Sequence, residues 1–365
     1  MLEGVRPGRA TPRRGTRRVA SVAAVLSALL AACSSTSAGG GPDASSVPKV
    51  TVSPRPATDA RSVSARPSAG CRTTTAPSTG STPVAEHLVS SGVKRTYLRM
   101  VPLSYRTGRP MPLVIDLHGY LEGAVIHVQM SGLAAFGARH GFIDLTPQGT
   151  GTDVFWNASG TSKAPNDVQF IRDLIDTTSA DLCVDRNRIY VTGLSLGAFM
   201  TSLVGCRLAS EVAAIAPVAG LRWPAGCRPA RPVPIVAFHG TADPILSYAG
   251  GYGTGAAALP VNQQAKVVLA GTPWGPVRDS LHEWAAFERC TRTVRSKVTR
   301  SVSLLSYQRC AGGSVVELYS IAGGGHAWPG SAFSAKISQF VGHTTFEISA
   351  DRLIWQFFQA HPLRG

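Results

Sequence analysis

Arg188 to Ala209 read RIYVTGLSLGAFMTSLVGCRLA, and the fold of the chain is decided there. After Arg188, Ile189–Thr192 are β-branched and aromatic, as in a strand buried on both faces. The last fourteen have the composition of a buried helix. Between them Gly193-Leu194-Ser195-Leu196-Gly197 matches G-x-S-x-G. On its own that pattern is weak, but directly after a strand and directly before a helix it marks a tight turn that lifts a serine hydroxyl clear of a sheet. Such a turn leaves no room for side chains on either side of the serine, which accounts for the two glycines. It also sets the hydroxyl at a helix N-terminus, where developing negative charge is favoured. Ser195 is therefore the candidate nucleophile.

Working outward, Leu113–Leu117 (LVIDL) and Ile235–Phe238 (IVAF) are further short apolar runs of the buried-strand kind. Val168, Ile171, Leu174 and Ile175 fall on one helical face, with Asn166 placed to cap its start. Leu196–Leu208 reads as a helix, and Ile348–Phe358 (ISADRLIWQFF) as a C-terminal helix turning aromatic residues inward. Strands alternating with helices predict an α/β fold, a mostly parallel central sheet with helices on both faces.

A serine nucleophile needs a base, and the base needs a carboxylate to orient it. In α/β-hydrolases these follow in the order Ser, then Asp or Glu, then His. His326 lies in Gly323-Gly324-Gly325-His326-Ala327-Trp328-Pro329-Gly330, after the strand-like run VVELYSI, where a shaped loop projects its imidazole. Asp243 lies in Phe238-His239-Gly240-Thr241-Ala242-Asp243-Pro244, past the C-terminal end of a buried strand, the edge at which open α/β sheets gather their sites. His239 ends that strand and is expected to hydrogen-bond locally. For the oxyanion of an acyl transfer, one backbone N–H is expected from Leu196. A second is expected from His118-Gly119-Tyr120 after LVIDL, with Tyr120 preferred and Gly119 the alternative.

The chain has 365 residues, 44% apolar and 16% charged, enough to bury a large core. Residues 1–18 carry six arginines against Glu3, and residues 19–32 (VASVAAVLSALLAA) are apolar and small. Fourteen such residues are too few to cross a bilayer, so residues 1–32 read as a signal peptide. Leu30-Ala31-Ala32-Cys33 resembles a bacterial lipobox, predicting lipidation at Cys33 and export to the outer face of the cell membrane, or release from it. Removing residues 1–32 takes the net charge from +15 to +10. A basic exported protein favours anionic surfaces; no basic stretch interleaved with aromatics suggests nucleic acid. Residues 33–82 are rich in Ser, Thr, Pro, Ala and Gly and read as a flexible tether, leaving 83–365 as the catalytic domain. Six cysteines besides Cys33 fit an oxidising compartment, and the sequence alone does not choose their pairing. No C-x-x-C, H-E-x-x-H or Walker A pattern occurs, so neither metal nor cofactor is expected.

Together LVIDLHGY, WNASG, NDVQFIRDLI, AAIAPVAG, RPVPIVAFHGTADPI and GGGHAWPG resemble the secreted polyhydroxybutyrate depolymerase and feruloyl or acetylxylan esterase family, over about Val93 to His361. That resemblance implies an α/β-hydrolase fold, a serine esterase working through an acyl-enzyme, and a triad of Ser195, Asp243 and His326. It also implies bridges Cys206–Cys227 and Cys290–Cys310, with Cys71 and Cys183 paired together or free. Family members often read S-N-G-G where this chain has Ser195-Leu196-Gly197-Ala198, and many carry cysteines where it has Ser159 to Ala164. Both departures bear on substrate identity. The same triad would serve a peptidase or an acyltransferase, and a binding lipoprotein on this fold would have lost activity.

Overall fold

The computed structural model describes residues 63–160, 165–258 and 274–364. Cys33 and the signal segment lie outside them. Ten strands form one sheet in the order β1-β2-β4-β3-β5-β6-β7-β10-β9-β8. Its centre is parallel: β4 (Ile143–Pro147), β3 (Met111–Leu117), β5 (Val184–Leu194), β6 (Ala214–Val218), β7 (Ile235–Gly240) and β10 (Val316–Ile321). Antiparallel strands close both sides, β1 (Val84–Ser90) and β2 (Val93–Met100) on one, β9 (Val302–Gln308) and β8 (Arg292–Lys297) on the other. The strands expected at 113–117, 189–192 and 235–238 all lie in the parallel centre.

Period-two alternation sorts the strand residues into two cores. Leu113, Ile115, Leu117, Ile189 and Val191 join the layer under three helices, α3 (Asp167–Asp181), α4 (Leu196–Arg207) and α5 (Val277–Phe287). Val114, Tyr190, Val236 and Phe238 join the opposite layer, under α1 (Gly123–Ser131), α2 (Leu133–His140) and α6 (Ala350–Ala360). Asn166 caps α3, its side-chain oxygen accepting from Gln169 N at 3.0 Å. In α6, Phe358 stacks on Tyr190 with ring centroids 4.5 Å apart. No helix of the described residues is long and apolar enough to cross a membrane.

The tether requires a correction at its C-terminal end. Residues 66–72, expected to be flexible, are docked on the domain. Ser68 N donates to Val184 O at 2.9 Å, Arg186 N donates to Arg66 O at 2.8 Å, and Cys71 is disulfide-bonded to Cys183. Short polar side chains leave no apolar pattern there; backbone hydrogen bonds and a covalent link hold the segment instead. The bridges Cys206–Cys227 and Cys290–Cys310 are also formed.

Candidate active site

Ser195 stands where β5 gives way to α4, with φ 59° and ψ −119°. A positive φ at a non-glycine residue is strained and persists only where its surroundings dictate it. Here Ser195 N donates to Val218 O at 2.9 Å, and Ser195 O accepts from Phe199 N at 3.1 Å. Gly197 presses against β3: a Cβ there would lie 2.0 Å from Leu117 O. The side chain of Ser195 does not cap the helix, so its hydroxyl is left for chemistry beside the positive end of the helix dipole.

Asp243 follows β7. Its Oδ1 accepts from Ile245 N at 2.8 Å and Leu246 N at 2.9 Å, which fixes the carboxylate in a turn of its own making. Its Oδ2 stands 2.8 Å from His326 Nδ1. Burial alone would raise this carboxyl; the His326 charge and the hydrogen bonds from His239 and His326 outweigh burial and hold it well below the usual carboxylate range. His326 follows β10 on a glycine loop packed so closely that a Cβ at Gly325 would lie 2.1 Å from Val341 O. β5, β7 and β10 run in parallel, so Ser195, Asp243 and His326 all emerge at the C-terminal edge of the sheet. Among the described residues the Ser195 hydroxyl takes part in no hydrogen bond as close as 3.5 Å.

His239 behaves as a local support. Its Nε2 lies 2.9 Å from Leu246 O and 3.3 Å from Asp243 Oδ2, behind the carboxylate.

The loop expected to supply an oxyanion donor is more heavily built than its sequence suggests. A Cβ added at Gly119 would lie 3.4 Å from Ser195 Cβ, so this loop runs beside the nucleophile. Gly119 N–H donates to Glu122 Oε2 at 2.5 Å. Leu121 N donates to Val154 O at 3.2 Å, and Trp156 Nε1 donates to His118 O at 2.8 Å. His118 Nε2 accepts from Gly149 N at 2.8 Å, so its proton sits on Nδ1, which donates to Gly119 O at 2.6 Å. Burial pushes His118 down to about 4, keeping it neutral.

Beneath the loop lies a buried charge cluster that the sequence reading missed. His127 Nδ1 is 2.9 Å from Glu122 Oε1, and its Nε2 is 2.8 Å from Asp116 Oδ1, which is itself braced by Ser131 Oγ donating to Asp116 Oδ2 at 2.5 Å. Burial disfavours the imidazolium, but the two carboxylates prevail and raise His127 well above its ordinary value. Burial would likewise raise Glu122; the charge of His127 and the hydrogen bonds from His127 and Gly119 hold it below the ordinary value. Asp116, Glu122 and His127 are ionisable residues set among apolar strand and helix positions, where burial demands partners, but their spacing does not say which partners those are.

A grouping of metal-ligand types among the described residues, Glu288 with Cys290 and Cys310, has both sulfurs in a disulfide and offers no thiolate.

Residues 97–246 match the family model described as Esterase PHB depolymerase. Feruloyl esterase B of Piromyces equi is 31% identical over 233 residues, 62% of this chain and 41% of the relative. The bifunctional acetylxylan esterase/xylanase XynS20E of Neocallimastix patriciarum is 26% identical over 237 residues, 65% of this chain and 31% of the relative. Poly(3-hydroxyalkanoate) depolymerase C of Paucimonas lemoignei is 33% identical over 115 residues, 30% of this chain and 28% of the relative. The chain thus spans less than half the length of each of these three relatives. Among solved structures, an acetyl xylan esterase from Aspergillus awamori superposes with a TM-score of 0.48 at 14% identity, over 70% of this chain and 98% of that one.

Proposed function

This chain belongs to the PHB depolymerase esterase family, and on that premise we propose that it hydrolyses carboxylic esters through an acyl-enzyme on Ser195. The observation that carries the reading is the Asp243–His326 pair at the sheet edge that also presents Ser195. With Asp243 accepting from Nδ1–H, the lone pair of His326 lies on Nε2, the nitrogen free to act as base. His326 takes the Ser195 proton as Oγ attacks the ester carbonyl. The tetrahedral oxyanion rests on the Leu196 and Tyr120 amides, and His326 then protonates the leaving alcohol. Water, deprotonated by the same imidazole, releases the acid and restores the serine. Relatives named for feruloyl esters, acetylxylan and poly(3-hydroxyalkanoate) support esters in or on polymers as the substrate class.

The leader, Cys33 and the basic charge support an exported protein held at the outer membrane face by a lipid on Cys33. Three disulfides fit that oxidising compartment.

Hydrolysis of p-nitrophenyl butyrate by the full chain and its Ser195→Ala variant tests the reading. Turnover by the unsubstituted chain and loss of at least about a thousandfold in the variant is the expected outcome. Equal turnover by both overturns it.

A further inference from the structure

Beyond the catalytic residues the same edge of the sheet carries a groove of about 410 Å³. Four cations line it: Arg278 from α5, Arg295 and Lys297 from β8, and Arg300 from the β8–β9 turn, with Ser303 and Ser320 also among the lining residues. Strand register explains the grouping. Lys297 pairs with Ser303, which pairs with Ser320, while Arg295 pairs with Leu305, which pairs with Leu318. Paired residues share a face, and Leu305 and Leu318 lie in the core layer of α5. Both β8 cations therefore project on the side from which Arg278 approaches.

The groove opens at the catalytic edge. β8 ends at Lys297, β9 begins at Val302 and β10 ends at Ile321, with Ala322 N donating to Ser301 O at 2.8 Å. His326 lies five residues beyond Ile321. A contact chain joins the two sites. Ser320 Oγ is 2.7 Å from Tyr248 OH, which accepts from Arg278 Nε at 3.3 Å. The Tyr248 ring packs edge-on against His239, whose Nε2 lies 3.3 Å from Asp243 Oδ2.

Cations on an edge strand alone would be explained as a guard against strand pairing. Arg278 and Arg300 lie off that strand and need another explanation. All four are exposed, and among the described residues none is ion-paired. The nearby acids have their own settings: Glu347 accepts from Thr299 and Ser301 near Arg300, and Asp279 and Glu283 lie on α5.

We propose that this groove binds the carboxylates of an acidic polysaccharide whose ester group is delivered to Ser195; the delivery rests on the hydrolase reading, the binding does not. An uncharged polyester offers four cations little, whereas a uronate-bearing chain offers carboxylates to the guanidinium forks and hydroxyls to the serines.

The test uses the full chain carrying Ser195→Ala, titrated calorimetrically at low salt with a galacturonate oligosaccharide, a neutral xylo-oligosaccharide of equal length, and inorganic polyphosphate. The galacturonate oligomer is expected to bind in preference to the other two, more weakly as salt rises. Adding Arg295→Gln with Lys297→Gln should weaken it about tenfold. Adding Lys94→Gln with Arg109→Gln instead, at the far side of the sheet, removes the same charge and should leave binding unchanged. Absent binding, equal binding of the neutral oligomer, tighter binding of polyphosphate, or equal loss in both paired variants would each overturn the assignment. Because the titrated protein lacks the Ser195 hydroxyl, these outcomes are independent of whether the unsubstituted chain cleaves p-nitrophenyl butyrate.

Discussion

Asp243 Oδ2 and His326 Nδ1, 83 residues apart in the chain, stand 2.8 Å apart. One oxygen of the carboxylate is spent on its own turn and the other on the imidazole, so position and tautomer are set by the same group. Asp243→Asn keeps an oxygen for the Ile245 and Leu246 amides but can turn an N–H toward His326, favouring the wrong tautomer. We expect kcat to fall about 10⁴-fold with little change in the melting temperature. A variant that melts normally and retains more than a tenth of the activity would contradict this role.

Glu122 is expected to act through the oxyanion loop without touching substrate. Glu122→Ala removes the acceptor of Gly119 N–H and one partner of the His127 charge. Losing one oxyanion donor outright costs about 10²- to 10³-fold, so misplacing the loop should lower kcat by roughly 10- to 100-fold with KM nearly unchanged. Glu122→Gln, which keeps an oxygen for Gly119, should recover part of that loss. Steady-state kinetics on all three proteins decide it: no recovery in the glutamine variant, or a change confined to KM, removes Glu122 from this role.

The strands and the placement of the candidate residues were legible in the sequence because the elbow, the HGTADP segment and the GGGHAWPG segment each place one candidate side chain just past a strand of clear apolar pattern. Local spacing is enough for that kind of inference. Asp116, Glu122 and His127 escaped because their meaning lies in mutual contact, and nothing in their spacing announces a shared cluster. The docking of residues 66–72 escaped for a different reason. It depends on main-chain hydrogen bonds and on Cys71 finding Cys183 across 112 residues, neither of which leaves a periodic trace.

Glu288 predicts a pH-dependent stability. It is buried beside β7, accepting from Val233 N at 2.9 Å, and burial raises its carboxyl from 4.5 to about 8. A folded-state pKa above the unfolded value favours the native state fully below pH 4.5, and that contribution is lost as pH rises to about 8. Glu288→Gln should therefore flatten the decline of melting temperature over this window and raise it relative to the unsubstituted chain at pH 8. Parallel melting curves for both proteins from pH 5 to 8 would count against the assignment.

The Cys71–Cys183 bridge closes a separation of 112 residues, so its entropic effect on the unfolded chain is large, about 5 kcal/mol in the loop-closure model. Replacing both cysteines by serine should lower stability by about that amount in urea unfolding, and limited proteolysis should cut first near residues 66–72. Unchanged stability together with protection of that segment would show that the backbone hydrogen bonds suffice.

The account turns on Ser195 carrying the covalent intermediate. Treating the full chain with a fluorophosphonate, digesting it and weighing the peptides tests this most directly. The predicted result is a single adduct on the peptide containing Ser195, absent after Ser195→Ala. An unmodified Ser195, or an adduct that persists elsewhere in the variant, would contradict it.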